Sequence, residues 1–211
     1  ANTDRDSYYG PGNDPLKAYG KTTDLTAMGG AQYVHTFDKC FFMPSDLTAG
    51  LEYNRDRLKD NMWGYNRHTD QTVNIYSAFL QNEWKNDRWG ILIGGRLDKH
   101  NMVDNVIFSP RANLRFNPTQ NINLRLSYSS GFRAPQAFDE DMHIENVGGT
   151  VAMIERAKDL KEEKSQSFSV SADMYHRFGA FQTNLLIEGF YTRLTDVFVL
   201  GEPYDLSLIH I

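Results

Sequence analysis

The chain has 211 residues, of which 40% are hydrophobic, 23% charged and 13% aromatic, and its net charge is −5. This composition excludes a disordered acidic tail. The negative charge argues against nucleic acid as a partner, because phosphate binding needs clustered Lys and Arg. One cysteine, Cys40, excludes an internal disulfide. No apolar run reaches the roughly 18 residues of a membrane helix, but a spanning β-strand needs only about 9–11 residues.

Alternation of apolar and polar side chains with a period of two predicts eight strands. In the sixth, Ile122, Leu124 and Leu126 alternate with Asn123 and Arg125. The predicted strands are residues 23–38, 47–57, 72–84, 89–98, 109–117, 121–132, 164–178 and 182–199.

Short and long connections alternate between these strands. The short ones are residues 85–88, 118–120 and 179–181, and they contain turn-forming residues. The long ones are residues 58–71, 99–108 and 133–163. Outer-membrane barrels have short turns at one rim and long loops at the other, so we expect the three short turns to share a rim.

The apolar faces of the clearest strands carry no charged residue, although 23% of the chain is charged. A lipid-facing surface explains this, because a mid-bilayer Arg or Lys costs about 2–4 kcal/mol. The buried face of a soluble antiparallel sheet explains it equally well. Periodicity alone therefore predicts an antiparallel sheet and leaves both environments open.

A series of short motifs resembles the barrel of TonB-dependent outer-membrane receptors. Each motif is weak alone, but their order and spacing are fairly specific over about residues 25–200. They are Gly-Arg-x-Asp at 95–98, Ser-Pro-Arg at 109–111, Gly-Phe-Arg-Ala-Pro at 131–135, Leu-Lys-Glu-Glu-Lys-Ser at 160–165 and Glu-Gly-Phe-Tyr-Thr at 188–192.

The resemblance implies an all-β, antiparallel up-and-down transmembrane β-barrel of about 22 strands, of which this chain supplies a curved sheet of about eight. It implies a receptor of the bacterial outer membrane, not an enzyme, that takes up an iron–siderophore complex, haem or cobalamin. Its expected partners are that ligand, the lipid bilayer and the TonB complex, reached through a plug domain that we do not expect in this chain. No cofactor and no metal are expected.

We divide the chain into three parts. Residues 1–22 are expected to form an extracellular loop or linker, and residues 23–199 part of the barrel. Residues 200–211 are expected to be a loop remnant and a non-native tail, because the last five residues resemble translated sequencing adapter. The residues from Ala1 onward show no signal peptide, so we expect the true start to lie upstream.

The long connection 133–163 is the candidate ligand-binding loop, because long loops in regular folds are usually functional or disordered. A short helix is expected near residues 153–160. A solvated acidic stretch is the alternative to a binding role. The candidate residues are Arg133, Gln136, Asp139, Glu140, Asp141 and His143.

His143 also lies where the resemblance places a histidine of haem receptors, after the Phe-Arg-Ala-Pro motif. Those receptors carry a second motif, Asn-Pro-Asn-Leu, and here residues 157–160 read Ala-Lys-Asp-Leu instead. This departure argues against haem as the ligand.

Charged residues on the polar sides of the strands are expected to face the lumen or the plug. Pairing across strands for structure alone is the alternative. No nucleophile elbow, phosphate-binding glycine loop or paired Cys and His ligands are found, so no catalytic residue is proposed. The candidate lumenal residues are Arg96, Asp98, Arg111, Arg115, Arg125 and Glu188.

Two other functions are consistent with the sequence. The first is a non-transporting adhesive barrel that binds through its long loops. The second is a soluble β-sandwich that binds through the acidic stretch.

Overall fold

The computed structural model describes residues 1–8, 19–63, 67–136, 145–147, 150–152 and 160–199. Within these ranges the chain forms eleven β-strands. They are β1 (Asn2–Tyr8), β2 (Tyr19–Cys40), β3 (Met43–Met62), β4 (Arg67–Lys85), β5 (Trp89–His100), β6 (Ile107–Thr119), β7 (Ile122–Arg133), β8 (Glu145–Val147), β9 (Thr150–Ala152), β10 (Glu163–Phe178) and β11 (Phe181–Thr195).

Nine strands form one curved, unclosed sheet in the order β1-β2-β3-β4-β5-β6-β7-β10-β11, and every pair is antiparallel. Strands β8 and β9 form a separate hairpin inside the connection from β7 to β10. This up-and-down order confirms the predicted fold class. A β-sandwich requires two large packed sheets, so that alternative is wrong for this chain. Within the described ranges, no helix is long and apolar enough to cross a membrane.

The short turns lie on one rim, as predicted. They are residues 86–88, 120–121 and 179–180, and the structure adds a fourth at 41–42. At the first of these, Asn86 Oδ1 accepts hydrogen bonds from the backbone N–H groups of Arg88 and Trp89. Gly179 has a φ of +57°, a conformation that glycine adopts without strain. We call this edge the turn rim and the opposite edge the loop rim.

Strands β2, β3 and β4 extend further toward the loop rim than the sequence predicted. The expected long connection at 58–71 is wrong, because β3 and β4 remain paired from Leu58 opposite Gln71 to Met62 opposite Arg67. The expected alternation disappears there because the face of Tyr53 carries Lys59 and Asn61, while the opposite face mixes Asp60 with Leu58 and Met62. Backbone hydrogen bonds nevertheless continue the ladder without any apolar pattern.

The first 22 residues differ from the loop or linker that the sequence predicted. They include β1, which pairs with β2 from Asn2 opposite Leu25 to Tyr8 opposite Tyr19. This strand is polar throughout, so it carries no periodic signal. Residues 200–211, the expected tail, and residues 153–159, most of the expected helix, lie outside the described residues.

The strand register separates two faces. We call the face that carries Ile93 the apolar face, and cross-strand pairing extends it to Ala112, Tyr128 and Phe168. Large side chains on it are solvent-exposed, with Ile93 at 56% and Val170 at 57%. An apolar face this extensive that stays uncovered is expected to meet lipid or another apolar surface.

Aromatic pairs border the apolar face at both ends. Near the turn rim, Phe42 stacks on Trp84 with ring centroids 5.7 Å apart. Toward the loop rim, Tyr53 contacts Tyr76 at 4.9 Å. Trp84 and Tyr76 are eight residues apart on β4, about 27 Å at 3.4 Å per residue. Strands of outer-membrane barrels tilt by about 35–45°, so this length spans about 20 Å along the membrane normal, comparable with their apolar band of about 25 Å.

Candidate functional site

The face opposite Ile93, which we call the polar face, carries all six predicted lumenal residues. The register pairs Arg111 with Gly94 and Ser129, and it pairs Arg115 with Arg125. Further along the same row, Ser171 lies between Arg125 and Glu188. Arg96 and Asp98 continue this face toward the loop rim.

Arg96 is the centre of a hydrogen-bonded network across three strands. Its Nη1 lies 2.5 Å from Glu52 Oε2 on β3, and its Nε lies 2.8 Å from Asp98 Oδ1 on β5. Its Nη2 donates to Ser77 Oγ on β4 at 2.8 Å, and Ser77 Oγ donates to Asp98 Oδ1 at 2.6 Å. Asp98 is only 3% exposed. Arg96 and Asp98 therefore hold neighbouring strands together, which is the structural alternative that the sequence left open.

The arginines nearer the turn rim have a different environment. Arg115 and Arg125 are direct cross-strand neighbours, and like charges in that position repel each other. Arg115 Nη2 donates to the Asn86 carbonyl at 3.1 Å, and Arg125 Nε donates to Asn123 Oδ1 at 2.8 Å. Both arginines therefore lack an ion-pair partner among the described residues, although Asp173 lies on the same face, diagonal to Arg125.

The loop rim brings Gln136 to His100. The backbone N–H of Met102 donates to His100 Nδ1 at 3.1 Å, so the imidazole Nε2 carries the proton and donates to Gln136 Oε1 at 3.1 Å. Burial lowers the pKa of His100, which keeps the ring neutral. Val103, Ile107 and Ala134 pack together beside this contact. Gln136 thus fixes the start of the long connection.

Arg133 lies at the junction of β7 and β10. It is paired in register with Glu163, and its guanidinium carbon lies 5.7 Å from the centroid of the Phe198 ring. The Phe198 N–H also donates to Glu163 Oε2 at 3.2 Å. The remaining predicted loop residues lie outside the described residues. They are Asp139, Glu140, Asp141 and His143.

A carboxyl pair on the polar face lies near the loop rim, beyond the level of Tyr53. Burial, and after it the neighbouring Asp24 carboxyl, together raise the pKa of Asp56 to about 6. The Oδ1 atoms of Asp24 and Asp56 are buried without a hydrogen-bond donor. A proton shared between the two carboxyls satisfies both atoms.

The family is decided by a match over almost the whole chain. A family model described as "TonB dependent receptor-like, beta-barrel" matches residues 1–206. The chain belongs to this family. Proteins of the TonB-dependent receptor family are transporters and not enzymes, in agreement with the sequence-based expectation.

Solved structures of siderophore receptors have the same fold as this TonB-dependent receptor barrel. The receptor PirA from Pseudomonas aeruginosa is 15% identical, with a TM-score of 0.63 over 83% of this chain and 33% of that one. The ferric enterobactin receptor PfeA of the same species, in complex with enterobactin, is 20% identical, with a TM-score of 0.63 over 92% of this chain and 31% of that one. PirA from Acinetobacter baumannii is 18% identical, with a TM-score of 0.55 over 92% and 38%.

These comparisons define what part of a receptor the chain represents. It spans about a third of the length of the solved structures that it matches. The nine-stranded open sheet therefore corresponds to a fragment of a TonB-dependent barrel. No curated protein matches the sequence.

Sequence reasoning missed three groups in this receptor barrel. Glu52 and Ser77 complete the Arg96 network, and both occupy alternate positions between apolar residues of predicted strands. Their alternate position along the strands already indicates that both side chains lie on the polar face. His100 was not identified because it follows the predicted end of its strand, where the alternation stops. Within the described ranges, no group of three or more His, Cys, Asp or Glu is placed to hold a metal.

We expect Asp56→Asn to stabilise the full-length receptor at pH 8. A carboxyl whose pKa is raised from 3.8 to about 6 binds its proton more tightly when folded, so stability falls as the pH rises through this interval. Two pKa units correspond to about 2.7 kcal/mol. Solvent exposure reduces the expected gain to about 1 kcal/mol. Denaturant unfolding at pH 8 and pH 4 measures it, and the gain should vanish at pH 4.

Asp70→Asn provides a control of opposite sign. The Arg57 and Lys59 side chains lower the pKa of Asp70, so the Asp70 carboxylate contributes stability at high pH that is lost on acidification. Its replacement should destabilise at pH 8. A gain from both substitutions would contradict the shared-proton interpretation.

Proposed function

We propose that this chain is part of an outer-membrane receptor that binds an iron–siderophore complex and transports it with energy delivered by TonB. The family match over residues 1–206 carries the proposal. The resemblance to receptors named for siderophores supports this ligand class. Haem and cobalamin remain the alternative ligands, and the departure at residues 157–160 makes haem the weaker of the two.

The bilayer and the plug are the partners proposed for the two faces. The apolar face, with an aromatic border at each end, suits the hydrocarbon layer of the bacterial outer membrane. The polar face would then enclose a plug domain that couples the barrel to TonB. Arginines that have no ion-pair partner among the described residues suit acidic groups of that plug. We assign the contact with the plug to Arg111, Arg115 and Arg125. Glu188, two strands from Arg125, is the acidic residue assigned to the same contact.

An uptake assay tests the function. Iron-starved cells that express the full-length receptor are given ⁵⁵Fe-labelled ferric enterobactin, and matched cells lack TonB. We expect accumulation only where both the receptor and TonB are present. Binding without accumulation would instead support the adhesive barrel, and accumulation without TonB would contradict the energy source.

The long connection between β7 and β10 is the proposed site of ligand capture, with Arg133 and Gln136 fixing its start. The capturing groups are assigned to Asp139, Glu140, Asp141 and His143. The connection is the longest in the chain and leaves the barrel at the loop rim, which we propose to be extracellular.

Deletion of residues 139–156 from the full-length receptor is expected to lower siderophore affinity at least about tenfold, because about 1.4 kcal/mol of binding contacts corresponds to that factor. Equilibrium binding of radiolabelled ferric siderophores measures the change. Heat-modifiable gel mobility checks that the barrel folds, since the deletion leaves β7 and β10 intact. Wild-type affinity in a folded deletion variant would exclude this connection as the capture element.

A further inference from the structure

A row of basic residues continues the apolar face beyond its aromatic border. Arg55, Arg57 and Lys59 are alternate residues of β3, so they project from the same face as Tyr53. We call them the basic strip. Arg55 is the first residue of this face beyond Tyr53, and Lys99 is the cross-strand neighbour of Tyr76.

The charges of the basic strip are only partly balanced. Arg57 and Lys59 share one carboxylate, Asp70, at 3.3 Å and 3.4 Å, and their side chains remain 40% and 45% exposed. Arg55 is exposed and has no ion pair or hydrogen bond within the described part of the chain. Its cross-strand neighbours are Ala27 and Asn74, which are uncharged.

The position of the strip restricts what binds it. The apolar face ends at Tyr53 and Tyr76, whose amphipathic rings suit the boundary between hydrocarbon and headgroups. Arg55 lies next to this boundary, within reach of headgroup phosphates, because long basic side chains extend toward the polar layer. The Lys99 ammonium at the same level instead donates to the Val103 and Asp104 carbonyls. Anionic headgroups attract basic residues placed at the membrane surface.

We propose that the basic strip binds the phosphate groups of anionic lipids in the membrane leaflet at the loop rim, with Arg55 as the principal contact. The inference rests on the proposed function for one point, which is that the loop rim lies at the outer leaflet of the outer membrane. There the phosphorylated glycolipid is lipid A. The strip is thus a lipid site on the outside of the barrel, separate from the capture loop and from the polar face.

Lipid retention on the full-length receptor tests the proposal. Receptor purified in mild detergent is delipidated and titrated with diphosphoryl lipid A, and native mass spectrometry counts the bound molecules. Arg55→Gln is expected to weaken binding about fivefold, the factor for one basic residue near an anionic surface. Asp70→Asn is expected to strengthen binding, because it releases Arg57 and Lys59 from their carboxylate.

Control arms separate phosphate recognition from general effects. Lys39→Gln removes an exposed positive charge near the turn rim and should leave affinity within about twofold. Dephosphorylated lipid A should bind much more weakly than the diphosphoryl form, and millimolar inorganic phosphate should not displace the lipid. Unchanged affinity in Arg55→Gln would overturn the proposal, as would equal binding of dephosphorylated lipid A.

The two proposals fail in different assays. A receptor that binds lipid A through Arg55 but accumulates no iron would refute siderophore transport and leave the lipid site intact. A receptor that transports iron in the expected way, with lipid binding unaffected by Arg55→Gln, would refute the lipid site alone.

Discussion

Val170→Arg in the full-length receptor is expected to reduce the free energy of folding into vesicles by about 2–4 kcal/mol. Val170 lies on the apolar face of β10, between Phe168 and Ala172, and is 57% exposed. An arginine there must enter hydrocarbon or distort the bilayer around it. Denaturant titration of receptor in phospholipid vesicles, followed by heat-modifiable gel mobility, gives the size of the loss.

Ser169→Arg is the matched control because it adds the same side chain one residue away on the same strand. Ser169 faces the polar side, where its cross-strand neighbours are Ser127 on β7 and Phe190 on β11. We expect a loss below about 1 kcal/mol, since a polar-face arginine stays hydrated. Equal losses from the two substitutions would contradict the assignment of the faces.

Arg96→Met is expected to cost about 3–5 kcal/mol, because it leaves the Asp98 carboxylate buried without its counter-charge. Asp98 is 3% exposed and, among the described residues, otherwise retains only the Ser77 hydroxyl as a side-chain partner. The interaction joins β3, β4 and β5, so its loss loosens three strands together. Equilibrium unfolding of the full-length receptor measures the cost.

Two further variants identify the cause of that loss. Adding Asp98→Asn to Arg96→Met should recover part of the stability, because the unpaired charge is then removed. Arg111→Met removes an exposed arginine from the same face and should change stability by less than about 0.5 kcal/mol. If Arg111→Met cost as much as Arg96→Met, general loss of charge on the polar face would explain the result better than the network.

The parts of the fold that the sequence predicted are those where the two faces differ in polarity. Between Trp89 and Leu97, every second residue is apolar or glycine, and β5 was predicted to within two residues at its C-terminal end. The alternation arises because one side of the strand avoids water and the other does not. Where that difference ends, as in β1 and beyond Tyr53 in β3, the pattern ends although the backbone pairing continues.

The turn at Phe41 and Phe42 was missed for a different reason. Phe41 adopts a φ of +63°, which is rare for a bulky residue, and neither phenylalanine is a typical turn former. Tertiary contacts compensate, because both rings lie near Trp84 on β4, at 6.5 Å and 5.7 Å between centroids. Such stabilisation from a distant strand cannot be predicted from local residue preference.

The candidate site was predicted in its residue types and faces but not in its contacts. The pattern placed Arg96 and Asp98 on the polar face, and the register agrees. It did not predict that Glu52 reaches Arg96, because that contact depends on the register of β3, β4 and β5 over 44 residues of sequence separation. Gln136 was predicted to bind ligand, whereas the structure pairs it with His100.

The alternation of basic side chains with acidic or apolar ones in β3, from Arg55 to Asp60, limits how this part of the molecule can change in length during evolution. From Arg55 to Asp60, basic residues occupy the apolar-face side, while Asp56 and Asp60 occupy the polar-face side. Loss of one codon before Arg55 would move each later residue to the opposite side. Insertions and deletions here are therefore expected in steps of two residues, or with a compensating change before the chain enters β4. Odd-length changes should be confined to the connections between strands.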